Sequence, residues 1–132
     1  MGIKNKIAFF VLRFGIGLVF LIFGIGKLQN DYWAQTMATM SFFKGMPWPV
    51  GVSVITVGVI EIAVGVGLMA GVLRRACAII AACMLAGILV LFEFQEIRDV
   101  GLLAAAVYLS LVYDDSWGID WFFRNNKKDH AR

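Results

Sequence analysis

Histidine is the scarcest reactive residue in this chain, present once, as His130. A b-type haem held by two membrane histidines and a His-based metal site are therefore excluded. Cysteine is nearly as rare. Cys77 and Cys83 form no C-x-x-C pair, and on a straight helix they stand about 240° apart, which rules out a disulfide between them. They read as inert, buried thiols. Proline occurs twice, as Pro47 and Pro49, so long stretches run without a breaker. Charge is sparse too: 16% of residues are charged, against about 25% in an ordinary soluble domain. The net charge of +3 is spread over separate segments and forms no basic stripe, so nucleic acid is not expected as a partner. No glycine-rich phosphate loop follows a strand, because no strand pattern is present.

Apolar residues fill the space: 61% of the chain, with a mean hydropathy of +0.82. A single small core could not hide so much apolar surface from water. The lipid bilayer is the natural solvent and the first partner. A helix crossing about 30 Å of hydrocarbon needs roughly 20 mainly apolar residues. Four runs approach that length: about Ile7–Leu28, Val50–Val72, Ala76–Phe92 and Ile97–Tyr113. They are too long and too little alternating for barrel strands, and lipid leaves only helices otherwise. The expectation is an all-α membrane protein, a bundle of four transmembrane helices.

Orientation follows from the basic residues. One side receives Lys4, Lys6, Arg74, Arg75, Arg124, Lys127, Lys128 and Arg132; the other receives only Lys27, Lys44 and Arg98. This positive-inside bias places both termini and the turn at Arg74–Arg75 in the cytoplasm, with the protein integral to the plasma (inner) membrane. The first apolar run has no small-x-small cleavage pattern and is expected to stay in the mature protein. Residues 1–123 read as one membrane domain and 124–132 as a basic cytoplasmic tail drawn to anionic headgroups. Between the first two spans, Tyr32, Trp33, Met37, Met40, Phe42 and Phe43 suggest a short helix lying in the interface. Trp117, Trp121, Phe122 and Phe123 suggest anchors on the inner side. All these aromatics read as interfacial anchors in preference to ligand contacts.

Small residues mark the faces that meet. Gly17 and Gly24 in the first span, and Gly51, Gly58 and Gly65 in the second, recur at seven-residue intervals. Gly67 and Gly71 add a G-x-x-x-G, and Ala78, Ala82, Ala86, Gly101 and Ala105 continue the scheme in the later spans. Such residues let helix backbones approach closely in lipid.

The informative residues are charges inside the spans. Glu61 lies about 15–18 Å from either edge of its helix, on the side of Gly58 and Gly65. Its short side chain cannot reach water, so it is the leading candidate for a functional or network-forming group. Arg13 shares a face with Gly17, Gly24 and Lys27. Asp99 falls within about 40° of Ser110 and Tyr113 on the fourth helix. Three helices thus send polar groups toward one axis. Bland readings compete: Arg13, Lys27 and Arg98 can snorkel to the headgroups, and Asp99 can cap a helix N-terminus. Helical side chains lean toward their own N-terminus, so Arg13 and Glu61 lean apart. The partner of Glu61 stays open among Arg13, Lys27 and Arg98.

Several short motifs then line up. Leu12-Arg13-Phe14-Gly15 and Gly24-Ile25-Gly26-Lys27-Leu28 lie in the first span. Gly45-Met46-Pro47 precedes the second, and Glu61-Ile62-Ala63-Val64-Gly65 lies within it. Gly71-Val72-Leu73-Arg74-Arg75 forms the inner turn, and Arg98-Asp99-Val100-Gly101-Leu102-Leu103 enters the fourth span. Over nearly all of residues 9–113 this order and spacing resembles DoxX-like membrane proteins. The resemblance implies a four-helix bundle with Arg13, Glu61, Arg98 and Asp99 as its matching positions and candidates for a buried polar core, while the helix faces themselves add Lys27, Ser110 and Tyr113 as secondary candidates. It also implies a role beside oxidoreductases: relatives occur as membrane subunits of thiosulfate:quinone and quinol-oxidising assemblies, and others are tied to thiol redox defence. The leading expectation is a membrane subunit or anchor of a redox assembly. It would have a protein partner, no covalent cofactor and no metal, and a quinone as the ligand the bundle would take. Two other classes stand beside it. One is a small proton-coupled transporter using Glu61, similar to small multidrug resistance proteins, although those carry the glutamate in the first helix. The other is a non-enzymatic assembly or chaperone protein.

Overall fold

The computed structural model describes residues 3–91 and 98–112, and every regular element within them is a helix. In chain order these are α1 (Ile3–Gln29), α2 (Tyr32–Thr39), α3 (Ser41–Lys44), α4 (Val50–Ala70), α5 (Arg74–Leu91) and α6 (Arg98–Leu111). Three of them, α1, α4 and α5, are long and apolar enough to cross a membrane. The fourth expected span is a shorter apolar helix. With 14 residues, α6 is about 21 Å long, less than the roughly 30 Å of hydrocarbon. Tyr113, the aromatics Trp117, Trp121, Phe122 and Phe123, and the basic tail lie outside the described residues, as does the side chain of Arg98.

Antiparallel contact between α1 and α4 builds the first half of the bundle, and glycines make it tight. A Cβ added at Gly65 would stand 2.7 Å from the Gly17 carbonyl oxygen and 2.8 Å from the Leu21 nitrogen. At Gly24 it would stand 2.7 Å from the Gly58 carbonyl oxygen and 2.9 Å from the Ile62 nitrogen. The seven-residue intervals expected to mark packed faces are thus set against each other, Gly17 with Gly65 and Gly24 with Gly58. Gly51 and Gly101 take no part, since nothing lies within 4 Å of a Cβ placed at either.

The chain leaves α4 through a Schellman turn. Gly71 adopts left-handed φ 73°, its N–H donates to Leu68 and Gly67, and the Val72 N–H donates to Gly67. Leu73 follows with φ 45°, an uncommon conformation for a branched side chain. The reversal is therefore made by residues 71–73, and Arg74 and Arg75 open α5 instead of forming the turn.

Helices α5 and α6 make the second half. Ala78, Ala81, Ala106 and Leu109 are fully buried and join Phe9, Ile16, Phe20, Val64 and Leu68 of the first half in one apolar core. A smaller cluster of Met37, Phe43 and Val54 ties α2 and α3 to the start of α4. The expected short helix between the first two spans is thus two short helices, whose Tyr32 and Phe42 are exposed and whose Met37 and Phe43 point inward. Cys83 faces outward and Cys77 is half-buried, so the expected burial of both thiols does not hold.

Candidate functional site

Lys27 stands near the end of α1, where its long stem could carry the ammonium to the headgroup region. Instead it turns into the bundle. Its Nζ donates to both carboxylate oxygens of Glu61, at 2.7 Å each, and the two side chains are 4% and 3% exposed. The local geometry explains the meeting. In an antiparallel pair, a side chain on α1 and one on α4 that each lean toward their own N-terminus lean toward each other. Lys27 and Glu61 converge in this way at the level of Gly24 and Gly58. Gly58 makes the room, because a Cβ there would lie 3.2 Å from the Lys27 Cβ. Two buried charges persist in an apolar interior when they are paired and hydrogen-bonded to each other, as these are.

Aromatic rings complete the ammonium's surroundings. The Trp33 ring centre lies 4.7 Å from Nζ and the Phe23 ring centre 5.8 Å. Trp33 meets Phe23 edge-on at 6.2 Å and Tyr32 edge-on at 5.9 Å. The α1–α2 corner that delivers Trp33 is short and tied, with the Tyr32 N–H donating to the Asn30 side-chain oxygen at 3.0 Å.

Beside the pair lies a cavity of about 170 Å³. Phe20, Phe23, Val57, Leu85 and Leu102 give it apolar walls, while Lys27, Glu61, Asp99 and Tyr32 bring polar groups to it. A dry cavity of about 150 Å³ is enough for a benzene ring. The site therefore has the size and lining for one six-membered ring with a polar group at the Lys27 end. Among the described residues, no three His, Cys, Asp or Glu side chains are grouped to hold a metal ion.

The other expected residues are distributed differently. Asp99, half-buried in the first turn of α6, shares the cavity. Ser110 donates to its own helix, at 2.7 Å from the Val107 carbonyl oxygen. Arg13 is buried at 2% exposure with its guanidinium 5.5 Å from the Phe10 ring centre. It sits fourteen residues before Lys27, about 21 Å away along α1, so it is not the partner of Glu61. The expected single polar axis is in fact two levels. The second level also holds Arg74, which the charge count treats only as a boundary cation. Arg74 is 8% exposed, donates to the Val112 carbonyl oxygen at 3.2 Å and lies 4.9 Å from the Phe9 ring centre. Snorkelling is likewise corrected for Lys27. Trp33 is the residue that reading by composition misses, since its six-residue distance from Lys27 carries no recognisable motif.

Comparison with known families decides the lineage, because the DoxX family model matches residues 8–93. This chain belongs to the DoxX family. No curated protein and no solved structure matches it. The DoxX match runs from residue 8 within α1 through α5, so Arg13, Lys27, Trp33 and Glu61 lie within the family domain. Asp99 and α6, which close one wall of the cavity in this DoxX protein, lie beyond it.

Proposed function

We propose that this DoxX-family protein is a membrane subunit of a redox assembly whose cavity beside Lys27–Glu61 takes the head ring of a quinone. The observation that carries the reading is the buried, bidentate pair set in the wall of a cavity sized for one ring. An ammonium has three N–H donors. Glu61 accepts two, which leaves one for a carbonyl oxygen on a ring held between Phe20, Phe23 and Val57. Quinones supply the two-electron chemistry when bound. The protein's own residues would bind and orient the ring and keep a fixed charge pair beside it. Electrons would come from a partner subunit, consistent with a chain that carries no haem or metal motif.

In this proposal the chain crosses the plasma (inner) membrane four times with both termini cytoplasmic. The distribution of Lys and Arg supports that orientation, and local bilayer thinning accommodates the short α6. A proton-coupled transporter has less support. Such a mechanism needs a mid-membrane carboxylate that trades its proton, and both oxygens of Glu61 are engaged by Lys27.

The test is purification in mild detergent from native membranes, with mass spectrometry of co-purifying quinone and protein. Quinone and an oxidoreductase subunit should accompany the wild type, and quinone should be lost from Glu61→Gln and Lys27→Met. Recovery of neither from the wild type sinks the redox reading. Recovery of client membrane proteins without quinone turns it toward assembly. Reporter fusions at Lys128 and at Arg75 should be cytoplasmic and one at Lys44 external; a cytoplasmic signal at Lys44 rejects the orientation.

A further inference from the structure

We infer that Trp33 is a positioning and specificity residue for this cavity: its indole covers the part of the Lys27 ammonium that Glu61 leaves open, and a ligand reaches Lys27 by taking the indole's place. The specificity half of this rests on the cavity being the ligand site proposed above.

The geometry runs from the charge outward. Glu61 accepts two of the three N–H bonds of Nζ at 2.7 Å, and the closest ring to the ammonium is Trp33, centred 4.7 Å away. Indole is the aromatic side chain that binds a cation most strongly through its face. Phe23 is farther, at 5.8 Å, and braces the indole edge-on. Gly26, one turn on from Phe23 along α1, also faces the indole, and an added Cβ there would lie 4.0 Å from the indole nitrogen. The ring is thus set between α1 and the cavity by residues that leave it just enough space. With this cover the ammonium is nearly sealed, although the cavity beside it is lined by the more open Tyr32.

Displacing the indole favours one ligand class. A purely apolar guest gains ring contacts but gives the exposed N–H no acceptor, so the cation–π contact is lost without return. A flat ring carrying a carbonyl oxygen replaces the ring contact and also accepts the hydrogen bond. Trp33 therefore selects carbonyl-bearing rings over alkyl chains and plain arenes.

The experiment measures Lys27 directly. The protein in nanodiscs is treated with acetic anhydride, and the acetylation rates of Lys27 and of exposed Lys44 are read by mass spectrometry. In the wild type Lys27 should react at least tenfold more slowly than Lys44. Trp33→Ala should raise the Lys27 rate relative to that of Lys44 by about threefold or more, and Trp33→Phe should restore most of the protection. Gly26→Leu, which crowds the indole without deleting it, should also expose Lys27 and serves if Trp33→Ala does not fold. In parallel, the binding of decylubiquinone and decylbenzene is compared across these variants. Trp33→Ala should strengthen decylbenzene binding more than decylubiquinone binding, because the apolar guest no longer forfeits a cation–π contact. Unchanged Lys27 reactivity in folded Trp33→Ala and Gly26→Leu overturns the covering role. Equal gains for both ligands overturn the selectivity. If Lys27 is unmasked as expected while no variant takes up the quinone, the covering role stands and the redox proposal falls instead.

Discussion

The two halves of the bundle bury their contact faces by different means. Helices α1 and α4 approach until backbone meets backbone at Gly17–Gly65 and Gly24–Gly58. Helices α5 and α6 meet through Ala78, Ala81, Ala106 and Leu109, with side chains between the axes. The ion pair sits in the first half, and α6 adds Asp99 at the rim of its cavity. The contrast shows what close glycine contact permits besides dispersion energy. The Lys27 stem can lie along the seam because Gly58 beside it has no side chain. The α5–α6 contact offers no such channel, and its described buried positions are apolar except for Arg74 at the open end.

The largest expected effect tests whether the first half depends on its pair. Lys27→Met leaves Glu61 buried without its cation, and removing one member of a buried pair costs about 3–5 kcal/mol. Equilibrium unfolding in SDS–detergent mixtures should show that loss, while Lys27→Met combined with Glu61→Leu should recover most of it. A double variant as unstable as the single one would mean that shape, not charge pairing, holds this seam.

A second experiment makes the same substitution in both halves. Gly65→Ala puts a methyl 2.7 Å from the Gly17 carbonyl oxygen, which forces the helices apart and should cost about 1–3 kcal/mol by overpacking. Gly87→Ala on α5 meets nothing within 4 Å. It should be neutral or stabilise by up to about 1 kcal/mol through helix propensity. Equal effects in the same assay would mean that the close backbone contact at Gly65 adds no constraint of its own. The smallest expected change is at the cysteines. Cys83→Ala, on an outward face, should shift stability by less than about 0.5 kcal/mol. Cys77→Ala should cost slightly more, because its Sγ fills the space over Gly67.

Much of this arrangement was legible in the amino-acid pattern, and its failures have physical causes. The glycine intervals identified the facing stripes of α1 and α4, since period-seven spacing stays on one side of a helix. Gly51 belongs to the same series by number, but in the antiparallel register it falls opposite position 31, where α1 has already ended. Glu61 was recognisable because a mid-span carboxylate has no route to water. Its partner was not, because the choice among three cations depends on the register of two helices, which Gly58 fixes by leaving room for the Lys27 stem. Trp33 looked like an anchor because interfacial and ligand-covering tryptophans share the same neighbours in sequence. Family resemblance placed Arg13 with Glu61 in one core, whereas their separation along the bundle becomes visible only with the helices in place.

The Lys27–Glu61 pair also has a temporal side. Its members are 34 residues apart, and a ribosome adding about 5–20 residues per second makes Glu61 roughly two to seven seconds after Lys27. During that interval α1 carries a lysine whose neutralising carboxylate has not been synthesised. Until α4 packs against α1, the ammonium has no carboxylate to pair with inside the bundle. Packing of α4 against α1 brings the two side chains together as a pair with no net charge. The buried state of Lys27 on α1 thus depends on a residue that belongs to a later helix.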